Sequence, residues 1–195
     1  MYLAAQGDLD GAAESLDLAV REDPDFCLAV LHDPLVSPHS DLHEIAASRL
    51  LKITEALRQQ HLRLRELLDA IAADLSPASD FPDLESQRCA LRDRWQELDE
   101  TEPKPSEGTS LSQLLVEMSE HVTQAEALQR ETSRWAELRP ELALRYGLEE
   151  FCEEQGAEVY SIEEREAVVQ RVGMWSRKVW SVRVDDKGQI TVKRL

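Results

Sequence analysis

Glycine, proline and aromatic side chains are all scarce, with 7 Gly, 8 Pro and 10 aromatic residues in 195. So few turn formers exclude a turn-rich β-sandwich. Cys27, Cys89 and Cys152 are the 3 cysteines, each more than sixty residues from the next, with no CxxC pair. An odd, widely spaced set excludes a disulfide framework and a cysteine zinc site, and it fits a reducing cytosol. No apolar stretch approaches the ~20 residues of a membrane span. The first residues, MYLAAQGDLDGAAESLD, hold no basic residue before Arg21 and no apolar run of signal-peptide length. A cytoplasmic location is therefore expected by elimination. Positive charge is also short, with 22 Lys and Arg against 39 Asp and Glu, a net −17. Such a chain repels a phosphate backbone and an anionic membrane as a whole.

Ala, Leu, Glu, Lys and Arg together make 94 of the 195 residues, or 48%, a share seen in long helices and coiled coils. Composition thus points to a soluble helical module and excludes little further. The first helix is predicted over 8–22. Asp8 or Asp10 can cap it, and Ala12, Leu16 and Ala19 share one face. Asp23-Pro24 ends it, because the residue before proline avoids the α region.

The stretch GDLDGAAESLDLAVREDPDF resembles the second half of a tetratricopeptide repeat, a Gly-Asp turn, a helix with small packing residues, then Asp-Pro. Gly7, Asp8, Ala12, Leu16, Ala19, Asp23 and Pro24 match, over residues 2–26. Only Met1–Gln6 could belong to the repeat's first helix, and no second copy of the motif follows. Arrays of this kind need about three units to bury a continuous core. Two alternatives stand at this point: a chain that begins inside a longer repeat array, or a generic helix ending in Asp-Pro.

Residues 27–40 read as a linker with one short helical turn at CLAVL. Asp41-x-x-Glu44 opens a long helix to about Leu75. Its seam is Leu50, Leu57, Leu64 and Ile71, with Ala46, Ile53 and Leu67 beside it and Gln60 and Asp74 interrupting. Four heptads predict a coiled-coil-like arm or a helical hairpin. The short connection at 76–81 favours an intramolecular hairpin, hence a monomer. A third helix is predicted from Pro82 to Glu100 with Leu84, Leu91, Trp95 and Leu98 on one face. TEPKPSEGTS, at 101–110, is a loop. Ser110 can cap a fourth helix to about Arg139, with a seam through Leu114, Met118, Ala125, Leu128 and Trp135. Pro140 is expected to start a separate short helix that stops at Gly156. Ser161-x-x-Glu164 has the form of a capping box for a last helix to about Val172.

The end of the chain changes character. KVWSVRV and QITVKRL alternate around DDKG, which predicts a β-hairpin turning at Gly188. Residues 171–195 hold seven basic and two acidic residues, a net +5, whereas the first 170 carry −22. An isolated hairpin is marginal in water. It is expected to bury Trp175, Trp180, Val182 and Val184 on the acidic helices, with Lys178, Arg183, Lys193 and Arg194 blunting its free edge. The other possibility is that it meets a partner.

No catalytic pattern survives inspection. His32, Asp33, His39, Asp41, His43 and Glu44 cluster, but the second histidine of a zinc-hydrolase helix is missing. The cysteines lack a cationic setting and read as buried or half-buried inert thiols. No GxSxG, P-loop or GxGxxG is present, and Glu149-Glu150 and Glu163-Glu164 read as solvated helix faces. Trp175, Arg177, Lys178, Trp180 and Arg183 are the candidate partner-binding residues. Basic residues interleaved with tryptophan can also stack on single-stranded nucleic acid, which the acidic remainder opposes.

The expected fold is therefore all-α, with about six helices, long coiled-coil-like hairpins, a tetratricopeptide-like half-repeat at the start and a small C-terminal β-hairpin. The expected regions are 1–39, 40–139 and 140–195. The expected function is a protein-interaction or scaffold module, with a protein partner, no catalysis, no cofactor and no metal. A nucleic-acid accessory protein using the basic tail is the first alternative, and a helical enzyme the second.

Overall fold

A computed structural model describes residues 8–34, 40–104, 110–174 and 176–195. They form α1 (Leu9–Glu22), α2 (Phe26–His32), α3 (Ser40–Leu75), α4 (Pro82–Glu100) and α5 (Leu111–Gln155), followed by β1 (Glu158–Glu163), β2 (Glu166–Val172), β3 (Arg177–Val184) and β4 (Ile190–Arg194). The protein is mostly helical, with a small C-terminal antiparallel sheet of four strands in the order β1-β2-β3-β4. Gly7, Pro38, His39 and Trp175 lie outside the described residues.

The chain divides into two compact units whose boundaries fall inside the long helices: Met1–Glu66 with Thr101–Gln124, and Leu67–Glu100 with Ala125–Leu195. The expected divisions at 39 and 139 do not coincide with them. A 36-residue helix and a 45-residue helix each serve both units.

In the first unit, Asp8 caps α1 by accepting from the Gly11 N–H at 3.0 Å. The Asp23 N–H donates to the Ala19 carbonyl where Asp23-Pro24 ends the helix. Ala12, Leu16 and Val20 of α1, Cys27 and Val30 of α2, and Leu42 and Ala46 of α3 form one apolar core. Arg49 holds Asp17 with two hydrogen bonds, and that guanidinium keeps the Asp17 carboxyl below its ordinary range. Ser110 caps α5 through the Gln113 N–H, as expected, and Asp25 adds a second cap by accepting from the Leu111 and Ser112 N–H groups. Burial works against the Asp25 charge, but these donors prevail and its pKa falls. Glu102 is buried, with Arg65 and His61 on its two oxygens.

In the second unit, α4 runs antiparallel to α3 and to α5. The Trp95 indole N–H donates to the Leu68 carbonyl at 3.0 Å, and Arg88 donates to the Leu75 carbonyl at 3.1 Å. On the other side, Phe81 meets Tyr146 and Arg94 pairs with Glu131. Ile71, Leu75, Leu128 and Trp135 are the buried centre, with Leu91, Trp95 and Leu98 against them.

Two expectations fail here. No helix begins at Pro140, because α5 passes straight through it. A proline inside a helix costs about 3 kcal/mol. It is tolerated because the turns on both sides are anchored, Trp135 in the helical core and Ala143, Leu144 and Leu148 against the sheet. The expected last helix over 161–172 is instead the β1–β2 hairpin. Val159, Tyr160, Ile162, Val168, Val169 and Val172 favour extended backbone. Burying Ala167 and Val169 on α5 outweighs a local capping signal. Gly156, at φ 57°, ends α5 as expected, and Glu164, at φ 48°, makes the tight turn between Glu163 and Glu166. The C-terminal hairpin is present with Gly188 at φ 77° in its turn, but as half of a four-stranded sheet.

Candidate protein-docking groove

One face of the sheet is closed by α5. Ala167 and Val169 of β2 and Val182 and Val184 of β3 pack with Leu84, Ala143, Leu144 and Leu148. Arg139 pins the β3–β4 turn to the helix. Its guanidinium lies 5.0 Å over the Trp135 ring and donates to the Asp186 carbonyl at 3.0 Å. Burial disfavours the Arg139 charge and lowers its pKa, and the nearby Asp185 and Asp74 carboxylates offset part of that.

Beside this core, the C-terminal half of α5 and strand β1 leave an open groove of about 910 Å³. Leu144, Leu148, Cys152, Ala157, Val159 and Ile162 make its floor. Glu137, Glu141, Glu149, Glu158 and Glu164 stand around it, with Arg145 and Arg165. Both arginines are already paired, Arg145 with Glu149 and Arg165 with Asp186. The uncompensated charge of the rim is therefore negative. Burial raises the Cys152 pKa, so the thiol at the floor behaves as an apolar group.

β1 is an edge strand. Val159 is 42%, Tyr160 64% and Ile162 60% exposed. The ladder to β2 is irregular between Val159 and Ser161, where Tyr160 has no opposite residue. The irregularity re-aims the strand so that Val159 and Ile162, three positions apart, both lie on the groove side, opposite Val169 and Ala167. The groove thus joins unpaired backbone groups, an apolar floor and an acidic rim. Among the described residues, no group of three or more His, Cys, Asp or Glu side chains is placed to hold a metal ion.

The residues singled out from sequence do not form one surface. Trp180 is a core residue, packed edge-on against Phe151 with ring centroids 5.5 Å apart. Lys178 is exposed at the start of the same strand. Arg177 and Arg183 lie on the opposite face of β3, Arg177 bonded to Gln170 and near Tyr160, Arg183 paired with Glu166. Trp175 lies outside the described residues. Among the cysteines, Cys27 is buried and Cys152 half-buried as expected, whereas Cys89 is exposed. The groove is not legible in the sequence, because Ser161-x-x-Glu164, where β1 ends, has the form of a helix cap. The signal for β1 is composition alone: three strand-favouring residues, Val159, Tyr160 and Ile162, in the six of EVYSIE.

No protein-family model matches the chain, and no curated protein or solved structure is similar to it at a significant level.

Proposed function

We propose that this chain is a protein-interaction module that performs no chemistry, and that β1 with its groove is the docking site. Its guest is an extended segment in which apolar residues alternate with Lys or Arg. One observation carries this reading: an open edge strand borders a groove with an apolar floor and an acidic rim. An added strand would satisfy the free backbone groups of β1, and its alternate side chains would supply specificity. Apolar side chains would cover Leu148, Val159 and Ile162, and the cationic ones, on the opposite face of the added strand, would meet Glu158 and Glu163.

In this reading the first unit belongs to a tetratricopeptide-like scaffold. The burial of Ala12 and Leu16 and the helix end at Asp23-Pro24 support that likeness. The three unpaired thiols accord with a cytoplasmic setting. Among the described residues, no helix is long and apolar enough to cross a membrane. A nucleic-acid role is the weaker alternative, because the Trp180 ring is taken up by Phe151 and Arg183 by Glu166.

Fluorescence titration of two labelled peptides tests the proposal, one alternating Val and Lys, the other Val and Glu. The basic peptide is expected to bind and the acidic one to fail. Glu158→Lys combined with Ile162→Lys, both at exposed positions, is expected to weaken binding at least about tenfold, ~1.4 kcal/mol. Equal binding of the two peptides, or none by either, overturns it.

A further inference from the structure

The sheet has two open edges, and they carry opposite charge. β1 presents Glu158 and Glu163, with Glu164 in the turn that follows. β4, at the other edge, presents Lys193 and Arg194. The Leu195 N–H donates to the Val179 carbonyl at 2.9 Å. Because hydrogen-bonding direction alternates along a strand, the backbone groups of Val192 and Arg194 point away from β3. Val192 pairs with Val182 and Arg194 with Trp180, so both side chains lie on the face toward α5. Val192 is nevertheless 42% exposed. Lys193 pairs with Ser181 on the other face.

That is the pattern proposed above for the guest of the groove: outward backbone groups, an apolar residue and cations. We propose that β4 of one copy of this chain adds to β1 of a second copy, a self-association that rests on the docking role assigned to β1. The meander makes β1 and β4 antiparallel to each other, so copies stacked in one orientation continue the antiparallel order across the junction. Val192 then covers the apolar floor, Arg194 meets the acidic rim, and Lys193 faces the β1 glutamates. Charged edges ordinarily prevent sheets from joining. Here that protection acts between like edges only. Two β1 edges oppose Glu to Glu, and two β4 edges oppose Lys and Arg to their own kind, both unfavourable. The β1–β4 pairing alone is attractive. The contact is small and of the head-to-tail kind, so it is weak and forms either a short closed ring or a growing row.

Sedimentation equilibrium of the full chain over a concentration series tests this. The average mass of the parent is expected to rise with concentration. Val192→Pro removes an N–H that points away from β3 and is expected to leave a monomer with its fold intact by circular dichroism. Lys193→Glu with Arg194→Glu makes both edges acidic, and Glu158→Lys with Glu163→Lys makes both basic. Each double variant alone is expected to stay monomeric, and their equimolar mixture to associate. A parent that stays monomeric throughout overturns the proposal. So does association that persists in both double variants alone, or a mixture that stays monomeric. If the parent is monomeric yet still binds the Val–Lys peptide, the self-pairing falls and the docking role of β1 stands. If it binds no peptide either, both fall.

Discussion

Leu64 is fully buried in α3, while Leu57, one heptad earlier on the same stripe, is only half-buried. The heptad pattern placed both on the seam but could not rank them, because burial depends on what packs opposite. Leu64→Asp is expected to cost several kcal/mol, since an unpaired carboxylate would replace a core side chain. Leu57→Asp is expected to cost clearly less, and Lys52→Ala, exposed and off the seam, nearly nothing. Thermal melts of the three variants check this ranking. Charge at the residue scale is equally specific. Glu85 sits between Arg88, which donates to it through two nitrogens, and the Ser79 N–H. The Arg88 guanidinium beside Glu85 lowers its pKa from 4.5 to about 2. A carboxyl depressed in the folded state stabilises fully above its unfolded pKa, and that contribution is lost as pH falls from about 4.5 toward 2. Its ceiling is about 3 kcal/mol, reduced by solvent screening because the Glu85 side chain is 32% exposed. Chemical denaturation from pH 6 down to pH 2 is expected to show this loss in the parent and a flatter profile in Glu85→Gln.

The separate helices α3 and α4 were legible almost to the residue, since Asp41, Ser76-Pro77, Pro82 and the leucine spacing are all local signals. α5 and the sheet were not. Pro140 is a local stop sign, and Ser161-x-x-Glu164 a local start sign, yet tertiary burial overrode both. The expected burial of Trp180 on a helix is met by Phe151 of α5, a partner 29 positions away that no periodicity in the sequence identifies. The candidate groove is out of reach of local signals too: its two walls come from the end of α5 and from β1, where Ser161-x-x-Glu164 mimics a helix cap. Packing between α5 and β4 is tight enough to test. A Cβ on Gly147 would lie 1.9 Å from the Ile190 Cδ1 and 3.3 Å from the Phe81 ring. Gly147→Ala gains up to about 1 kcal/mol of helix propensity, but overpacking costs about 1–3 kcal/mol. A lower melting temperature is expected, with recovery in the Gly147→Ala, Ile190→Ala double variant relative to Ile190→Ala alone. Deleting residues 174–195 is expected to lower the melting temperature as well, because Val182 and Val184 share a core with Leu84 and Leu144.

For the whole molecule, the charge split seen in the sequence acquires a location. The acidic majority reaches the sheet at Glu158, Glu163 and Glu164, and the basic end supplies Lys193 and Arg194 at its far edge. The cations of β3 serve mostly inside the fold: Arg183 answers Glu166, whose carboxyl is held low by the Ser181 hydroxyl and then by that arginine. Two edges of the sheet stay open, β1 beside its groove and β4, and the proposed docking role falls on β1. Amide hydrogen exchange with and without the Val–Lys peptide tests this claim most directly. Amides of 158–163 are expected to slow on binding, while those of α3 and α4 keep their rates, because only β1 gains new hydrogen-bond partners. Peptide binding that leaves the β1 amides unchanged, or that protects another element instead, would contradict the assignment.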